Sequence, residues 1–260
     1  MNRKPKNKKE ARLNFGHDHS DGLVAAYLFN DNSNEVFDWT KNSNDLLVNN
    51  AVYTDDGMEF LANNQYASLN NANGAVSNEE GTLIVDFKSN VVFADSVIHT
   101  IFGVLAATTG DFTLVKWSDN SLYFLLRDSA GNHYITLRTS SFPDWQTGVQ
   151  IAIIWNRNTP IWNSDNMVYN INGVNTLPVG AAGETGWLSH STNSSLYVGN
   201  DSSDTTRYVN GCVKRLYLYN KALEEDKIKS IYESSYANFK KNQPGEIKIS
   251  YGNAMSEHEN

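Results

Sequence analysis

The side chains able to do chemistry are few, and most stand apart from one another. His17-Asp18-His19-Ser20-Asp21 is the one run of metal-ligating residue types, and its two histidines share a side of extended chain. The sequence offers them no identifiable third ligand. Cys212 is the single cysteine, so an intrachain disulfide framework and a thiolate-rich zinc site are both excluded. Beside Gly211 on a strand-like pattern, it reads as a small buried residue. No nucleophile-elbow motif is present.

What remains is recognition chemistry. Three loops mix Asn, Asp, Gly and Ser with aromatic residues: 156–166 holds Trp162 and Asn163, 183–190 holds Trp187, and 200–208 ends on Arg207-Tyr208. Aromatic faces stack on the C–H faces of sugars, while planar amide, carboxylate and guanidinium groups read hydroxyls. Long loops that carry such side chains are where binding concentrates. Trp162, Asn163, Trp187, Arg207 and Tyr208 are therefore the candidate carbohydrate-binding residues. For Trp162 and Trp187 the alternative is that they fold back and plug the sandwich edge. Trp117 and Trp155 sit on strand-like patterns and are expected in the core; Trp39 and Trp145 fit either place.

The elements that must hold these loops are strands. Val149, Ile151, Ile153 and Trp155 alternate along one segment, Leu83, Val85 and Phe87 along another, and Ile135 and Leu137 along a third. Period two puts one apolar face on a core. Further strands are expected at Leu23–Phe29, Met58–Leu61, Tyr66–Leu69, Ser96–Leu105, Phe112–Trp117, Leu122–Arg127, Met167–Ile171, Ser195–Gly199 and Cys212–Tyr219. Asn/Asp/Gly/Ser turns such as Asn172–Gly173 separate them. A dozen short strands without alternating helices predict an all-β sandwich or jelly roll rather than a parallel α/β sheet.

One helix is expected, at about Leu223–Tyr236, with Ile228, Ile231, Tyr232 and Tyr236 on one stripe. Glu224, Glu225 and Asp226 crowd its first turn, where the helix dipole favours anions, and read as a solvated face. Asn238–Gly245 is polar and linker-like. Ile247, Ile249 and Tyr251 then alternate as an added edge strand, within the chain or onto a second copy.

Charge divides the chain. Residues 1–12 carry Arg3, Lys4, Lys6, Lys8, Lys9 and Arg12 against Glu10, a net of +5, whereas the remainder holds 15 basic and 28 acidic residues. An acidic body disfavours nucleic acid, and the basic residues are candidate anchors to an acidic partner. No run reaches the roughly 18–20 apolar residues of a membrane helix. Leu13–Leu23 is too broken by Asn, His, Asp and Gly to be the apolar region of an export signal.

Three motifs resemble the laminin G-like, concanavalin A-like domains of bacterial and phage surface proteins. Gly22-Leu23-Val24-Ala25-Ala26-Tyr27-Leu28-Phe29-Asn30 and Asp38-Trp39-Thr40-Lys41-Asn42-Ser43-Asn44 are similar to the opening strand and turn. Asn170-Ile171-Asn172-Gly173 is similar to a mid-domain hairpin. Gly211-Cys212-Val213-Lys214-Arg215-Leu216-Tyr217-Leu218-Tyr219-Asn220-Lys221-Ala222-Leu223 is similar to the closing strand that precedes a helix.

The resemblance implies a two-sheet antiparallel jelly-roll sandwich with one C-terminal helix. It divides the chain into a basic arm (1–19), a jelly roll (20–236) and a tail (237–260). It also implies that calcium is the one cofactor to consider. The closing-strand acids that often help hold it are Lys214 and Arg215 here, which cannot ligate a hard cation. Asp38 and Asn42, with Asn44, remain as metal ligands or as an Asx-stabilised turn.

The fold hosts lectins, adhesion modules and enzymes alike. The family's glucanases carry Glu-x-Asp-x-x-Glu on one strand, which sets a retaining pair about 5 Å apart. The only Glu-x-Asp here is Glu224-Glu225-Asp226, inside the expected helix. The expectation is therefore a non-enzymatic glycan-binding or adhesion module. With no export signal and a basic arm, display on a bacteriophage virion after synthesis in the host cytoplasm is the favoured setting. Its partners would be surface or capsule glycans, other virion proteins and a second copy of the chain. A secreted or cell-surface bacterial lectin is the alternative, and a glycan-degrading enzyme the weakest reading.

Overall fold

The computed structural model describes residues 11–30, 33–70, 72, 76, 80–105, 112–127, 132–138, 142–156, 167–176, 181–182, 195–200, 206–234 and 239–241. β1 (Ala11–Leu13) precedes a 3-10 turn at Asp18–Ser20. β2 (Leu23–Tyr27), β3 (Glu35–Val36), β4 (Leu46–Asn49), β5 (Val52–Tyr53), β6 (Met58–Phe60) and β7 (Tyr66–Leu69) are short. β8 (Glu80–Ser89), β9 (His99–Leu105), β10 (Phe112–Lys116), β11 (Ser121–Arg127), β12 (Asn132–Arg138) and β13 (Val149–Asn156) follow. β14 (Met167–Ile171), β15 (Val174–Thr176), β16 (Ala181–Ala182), β17 (Ser195–Val198) and β18 (Gly211–Tyr219) complete the body. Helix α1 (Glu225–Glu233) and β19 (Phe239–Lys241) come last.

Two sheets face each other. One has nine strands in the order β16-β12-β11-β10-β9-β17-β7-β4-β3; the other has the order β15-β14-β13-β8-β18-β6-β5, with β2 also on β18. Pairing is antiparallel throughout the described strands. This is the expected two-sheet sandwich with a C-terminal helix. Between the sheets, Val149, Ile151, Ile153 and Trp155 pack with Leu83, Val85, Phe87, Leu216 and Leu218. The ring of Trp155 lies over Gly81, where an added Cβ would come within 2.3 Å of it.

The intervening residues of the central strands are buried as well. Ile84, Ala152, Ile154, Tyr217 and Tyr219 form a second cluster on the outer face of the eight-stranded sheet. Helix α1 covers it with Ile228 and Ile231. Burial on both faces is why β13 reads as a nearly unbroken apolar run.

The second cluster takes in strands near both ends of the described chain. β1 pairs with β19, with Ala11 opposite Lys241, Arg12 opposite Lys240 and Leu13 opposite Phe239. Leu13 and Phe239 are 5% and 2% exposed, and the Phe239 ring meets Trp39 edge-on at 5.1 Å. Residues 11–19 thus belong to the body, and the stretch expected as a linker supplies a strand. The apolar sequence signal there is a single Phe in Asn-Phe-Lys-Lys, too short to show a period. The alternating segment Ile247–Tyr251 lies outside the described residues, as do Arg3, Lys4, Lys6, Lys8 and Lys9.

The helix is shorter than its stripe suggests. Glu224 occupies the N-cap position with extended backbone and no side-chain cap hydrogen bond, so helical turns begin at Glu225. Tyr232 is 42% exposed, at the margin of the buried stripe. Trp117 is also corrected: it is half-buried rather than core, whereas Trp39, Trp145 and Trp155 are buried. None of the described helices is long and apolar enough to cross a membrane.

Candidate functional site

Arg207 and Tyr208 reach one rim of the sandwich, held there by the ends of β9 and β10. A register shift between Leu114 and Val115 sets Lys116 opposite His99. The bulge turns consecutive side chains inward, and Lys116 is fully buried. Its ammonium donates to Asp95 Oδ1 and, at 2.9 Å, to the Val97 carbonyl. His99 Nε2 lies 2.6 Å from Asp95 Oδ2, and His99 Nδ1 lies 2.8 Å from the Tyr208 carbonyl. Both ring nitrogens of His99 are thus engaged by oxygen atoms. Desolvation works against ionisation of Asp95, but the hydrogen bonds from Lys116 and His99 outweigh it and hold the carboxyl below its usual range.

This triad fixes the backbone that carries the candidate binding residues. Thr100 N donates to Arg207 O at 2.7 Å and Val209 N to Gly199 O at 2.8 Å. The Arg207 guanidinium lies 5.3 Å from the centre of the Trp117 ring. Trp117 meets Tyr123 edge-on at 6.1 Å, and Tyr123 Oη donates to Asp119 Oδ2 at 2.6 Å. The rim therefore gathers a guanidinium, a carboxylate and two aromatic side chains, all at least partly exposed, with Tyr208 next in the chain. Planar charged donors beside aromatic rings suit hydroxyl and carboxylate recognition. Sequence reasoning found Arg207 and Tyr208 but not Trp117, Tyr123 or Asp119. The Trp117-x-Asp119 turn before an alternating strand was the available signal. Trp162, Asn163 and Trp187 lie outside the described residues.

The other candidates occupy separate places. Asp38 is fully buried and accepts four hydrogen bonds from protein donors. Oδ1 takes Ala26 N at 3.0 Å and Thr40 N at 2.9 Å; Oδ2 takes Thr40 Oγ1 at 2.7 Å and Asn44 N at 3.1 Å. Asn42 turns its amide nitrogen to the Val24 carbonyl at 2.7 Å. That is the arrangement of an Asx-stabilised turn, not of oxygens converging on a cation. Arg12, the described member of the anchoring set, is exposed on β1.

His19 is buried, with Nε2 2.9 Å from Ser230 Oγ of α1. His17 meets the His19 ring edge-on at 4.5 Å, and its Nδ1 accepts from the His19 backbone N–H at 3.1 Å. Among the described residues, no group of three or more His, Cys, Asp or Glu is placed to hold a metal ion. Cys212 is buried. Glu225 Oε1 accepts from Asn175 N at 3.0 Å, so this acid docks the β14–β15 hairpin on the helix. Arg215 is buried and ion-paired to Asp86 at 2.6 Å.

With the sandwich and its rim established, comparison adds the lineage. The sequence model described as the concanavalin A-like lectin/glucanases superfamily matches residues 61–229, well over half of the chain. The chain belongs to this superfamily. Among solved structures, the fold is similar to part of a Trypanosoma rangeli sialidase in complex with sialic acid. The match has 16% identity and a TM-score of 0.55, and covers 84% of this chain and 34% of the sialidase. The botulinum neurotoxin serotype D binding domain matches at 14% identity and a TM-score of 0.64, over 84% of this chain and 53% of that domain. The chain thus spans about half or less of these structures, and at such identities the likeness is one of fold. No match was found among curated proteins.

Proposed function

We propose that this chain is a non-enzymatic glycan-binding or adhesion module, and that it is displayed on a bacteriophage virion. The observation that carries the glycan reading is the rim, where the Arg207 guanidinium lies 5.3 Å from the centre of the Trp117 ring, which in turn meets Tyr123 beside Asp119. A guanidinium held near an aromatic ring is partly pre-positioned, and less rotamer freedom is lost when a glycan hydroxyl or carboxylate docks. The superfamily, and the sialic acid bound by one structural neighbour, support the ligand class.

Two features favour binding without reaction. Both ring nitrogens of His99 are committed to Asp95 and the Tyr208 carbonyl, so this imidazole is not available as a base in this arrangement. The Glu-x-Asp acids sit at the start of α1, with Glu225 engaged by Asn175, and not on a strand facing a cleft.

The full chain on a broad glycan array, neutral and acidic, is the test. Binding should appear and should fall at least about tenfold in Arg207→Ala, the loss expected for a charged hydrogen bond of about 1.5–3 kcal/mol. Silence across the array would sink the glycan reading. The virion setting rests on the five basic residues that precede β1, Arg3 to Lys9, on an otherwise acidic chain. Removing residues 1–10 leaves the β1–β19 pair intact and should reduce occupancy on particles. Unchanged occupancy would refute anchoring by the arm.

A further inference from the structure

On the sheet opposite the rim, the outer face is apolar under α1 and turns polar beyond the end of the helix. The strand register sets both Arg215 of β18 and Gln150 of β13 opposite Asp86 of β8. A cleft of about 200 Å³ opens over Asp86 and Gln150, walled by Thr147, Asn172, Lys214 and Tyr232.

Its floor holds polar atoms that the fold does not satisfy. Gln150 is 3% exposed, yet neither Oε1 nor Nε2 has a hydrogen-bond partner. Asp86 Oδ1 is likewise buried and unpartnered, while Oδ2 holds Arg215. Buried polar groups in native proteins nearly always have partners. The Gln150 backbone cannot slide to find one, because its N–H donates to Asn172 Oδ1 at 2.9 Å and its carbonyl accepts from Asn172 N at 3.0 Å.

The unsatisfied set is two acceptors and a donor at the floor, with an ammonium and an aromatic ring at the wall. Charge narrows the ligand. Asp86 Oδ1 repels carboxylates and phosphates, while Lys214 and the buried Arg215 repel cations. Hydroxyls both donate and accept, so adjacent ring hydroxyls match a carboxamide next to a carboxylate. The C–H face of such a ring suits Tyr232, which is 42% exposed. The volume is below the roughly 300–1,000 Å³ of drug-sized sites and suits one ring rather than an extended chain.

We propose that this cleft binds a single neutral sugar ring, with Gln150 and Asp86 reading its hydroxyls and Tyr232 covering its face. It is a second site, independent of Arg207. The test uses the full chain with glucose, galactose, mannose and N-acetylglucosamine at millimolar concentration, followed by saturation-transfer NMR. At least one sugar should receive saturation. Gln150→Leu and Tyr232→Ala should each weaken it tenfold or more, and Arg207→Ala should leave it unchanged. Gln150→Leu should also keep or raise the melting temperature, because it removes the orphaned amide while keeping the shape. No transfer to any of the four sugars, undiminished transfer in Gln150→Leu, or a preference for glucuronate over the neutral sugars would overturn the proposal. Array binding that is lost in Arg207→Ala but kept in Gln150→Leu would leave the rim reading standing when the cleft fails.

Discussion

His19 joins the segment before β2 to helix α1: its ring contacts Ser230, and its carbonyl accepts from the buried Tyr219 hydroxyl at 2.8 Å. Burial, then the neighbouring His17 and Lys227, pulls its pKa from 6.5 down to about 4. A proton therefore binds the unfolded chain more readily than the folded one. The associated stability is fully present above pH 6.5, drains as pH falls toward about 4, and loses no more below that. The melting temperature should decline through this window in the wild type and more shallowly in His19→Gln, as followed by circular dichroism at a series of pH values. Parallel slopes would remove His19 as the cause. The sequence marked His19 as a metal-ligand type because residue identity is all a sequence offers. Its actual partner, Ser230, lies 211 positions away and is met only once α1 has docked. Asp95 and His99 are only four residues apart, but Lys116 joins them through a bulge in β10 that spacing does not reveal.

The longer central strands declared themselves because their inner faces met the core over several residues. β8, β13, β14 and β18 were legible because Leu83, Ile151, Tyr169 and Leu216 recur at period two among the buried residues. The β14–β15 hairpin was legible from Asn172-Gly173, where positive φ values of 51° and 83° match the tight turn that Asn-Gly favours. β4 and β5 were not, because Leu47 and Val52 are 49% and 51% exposed and spoil the alternation. Gly81 in β8 shows a constraint that pattern alone misses, as its missing side chain is the space taken by Trp155. Gly81→Ala must move an indole that also packs on Phe112 and Phe124. Overpacking of this kind is expected to cost about 1–3 kcal/mol. At about 2–4 °C per kcal/mol for a domain of this size, the melting temperature should fall by several degrees. A variant that melts with the wild type would mean that Trp155 has room to shift.

At the scale of the molecule, the two hydrophobic clusters do different things. The inner one makes the sandwich, and it is built from residues of the matched family region and the strands before it. The outer one ties both ends of the described chain to the back of that sandwich through Leu13, Phe239, Trp39 and α1. A jelly roll cut to residues 20–236, as the motif boundaries suggest, keeps the first cluster but strips Leu13 and Phe239 from the second. Trp39, 5% exposed in the whole chain, would then lose the ring that covers its edge. Removing a buried Phe costs about 3–5 kcal/mol and a buried Leu about 2–5 kcal/mol. The 20–236 fragment should therefore unfold at clearly lower urea than a fragment spanning residues 11–241. It should also show red-shifted, quenchable tryptophan emission before global unfolding. Coincident urea midpoints would mean that the β1–β19 pair merely rests on the sandwich. A deficit in the short fragment would mean that β1 and β19 are part of the domain, so any trimming for ligand work should keep both strands.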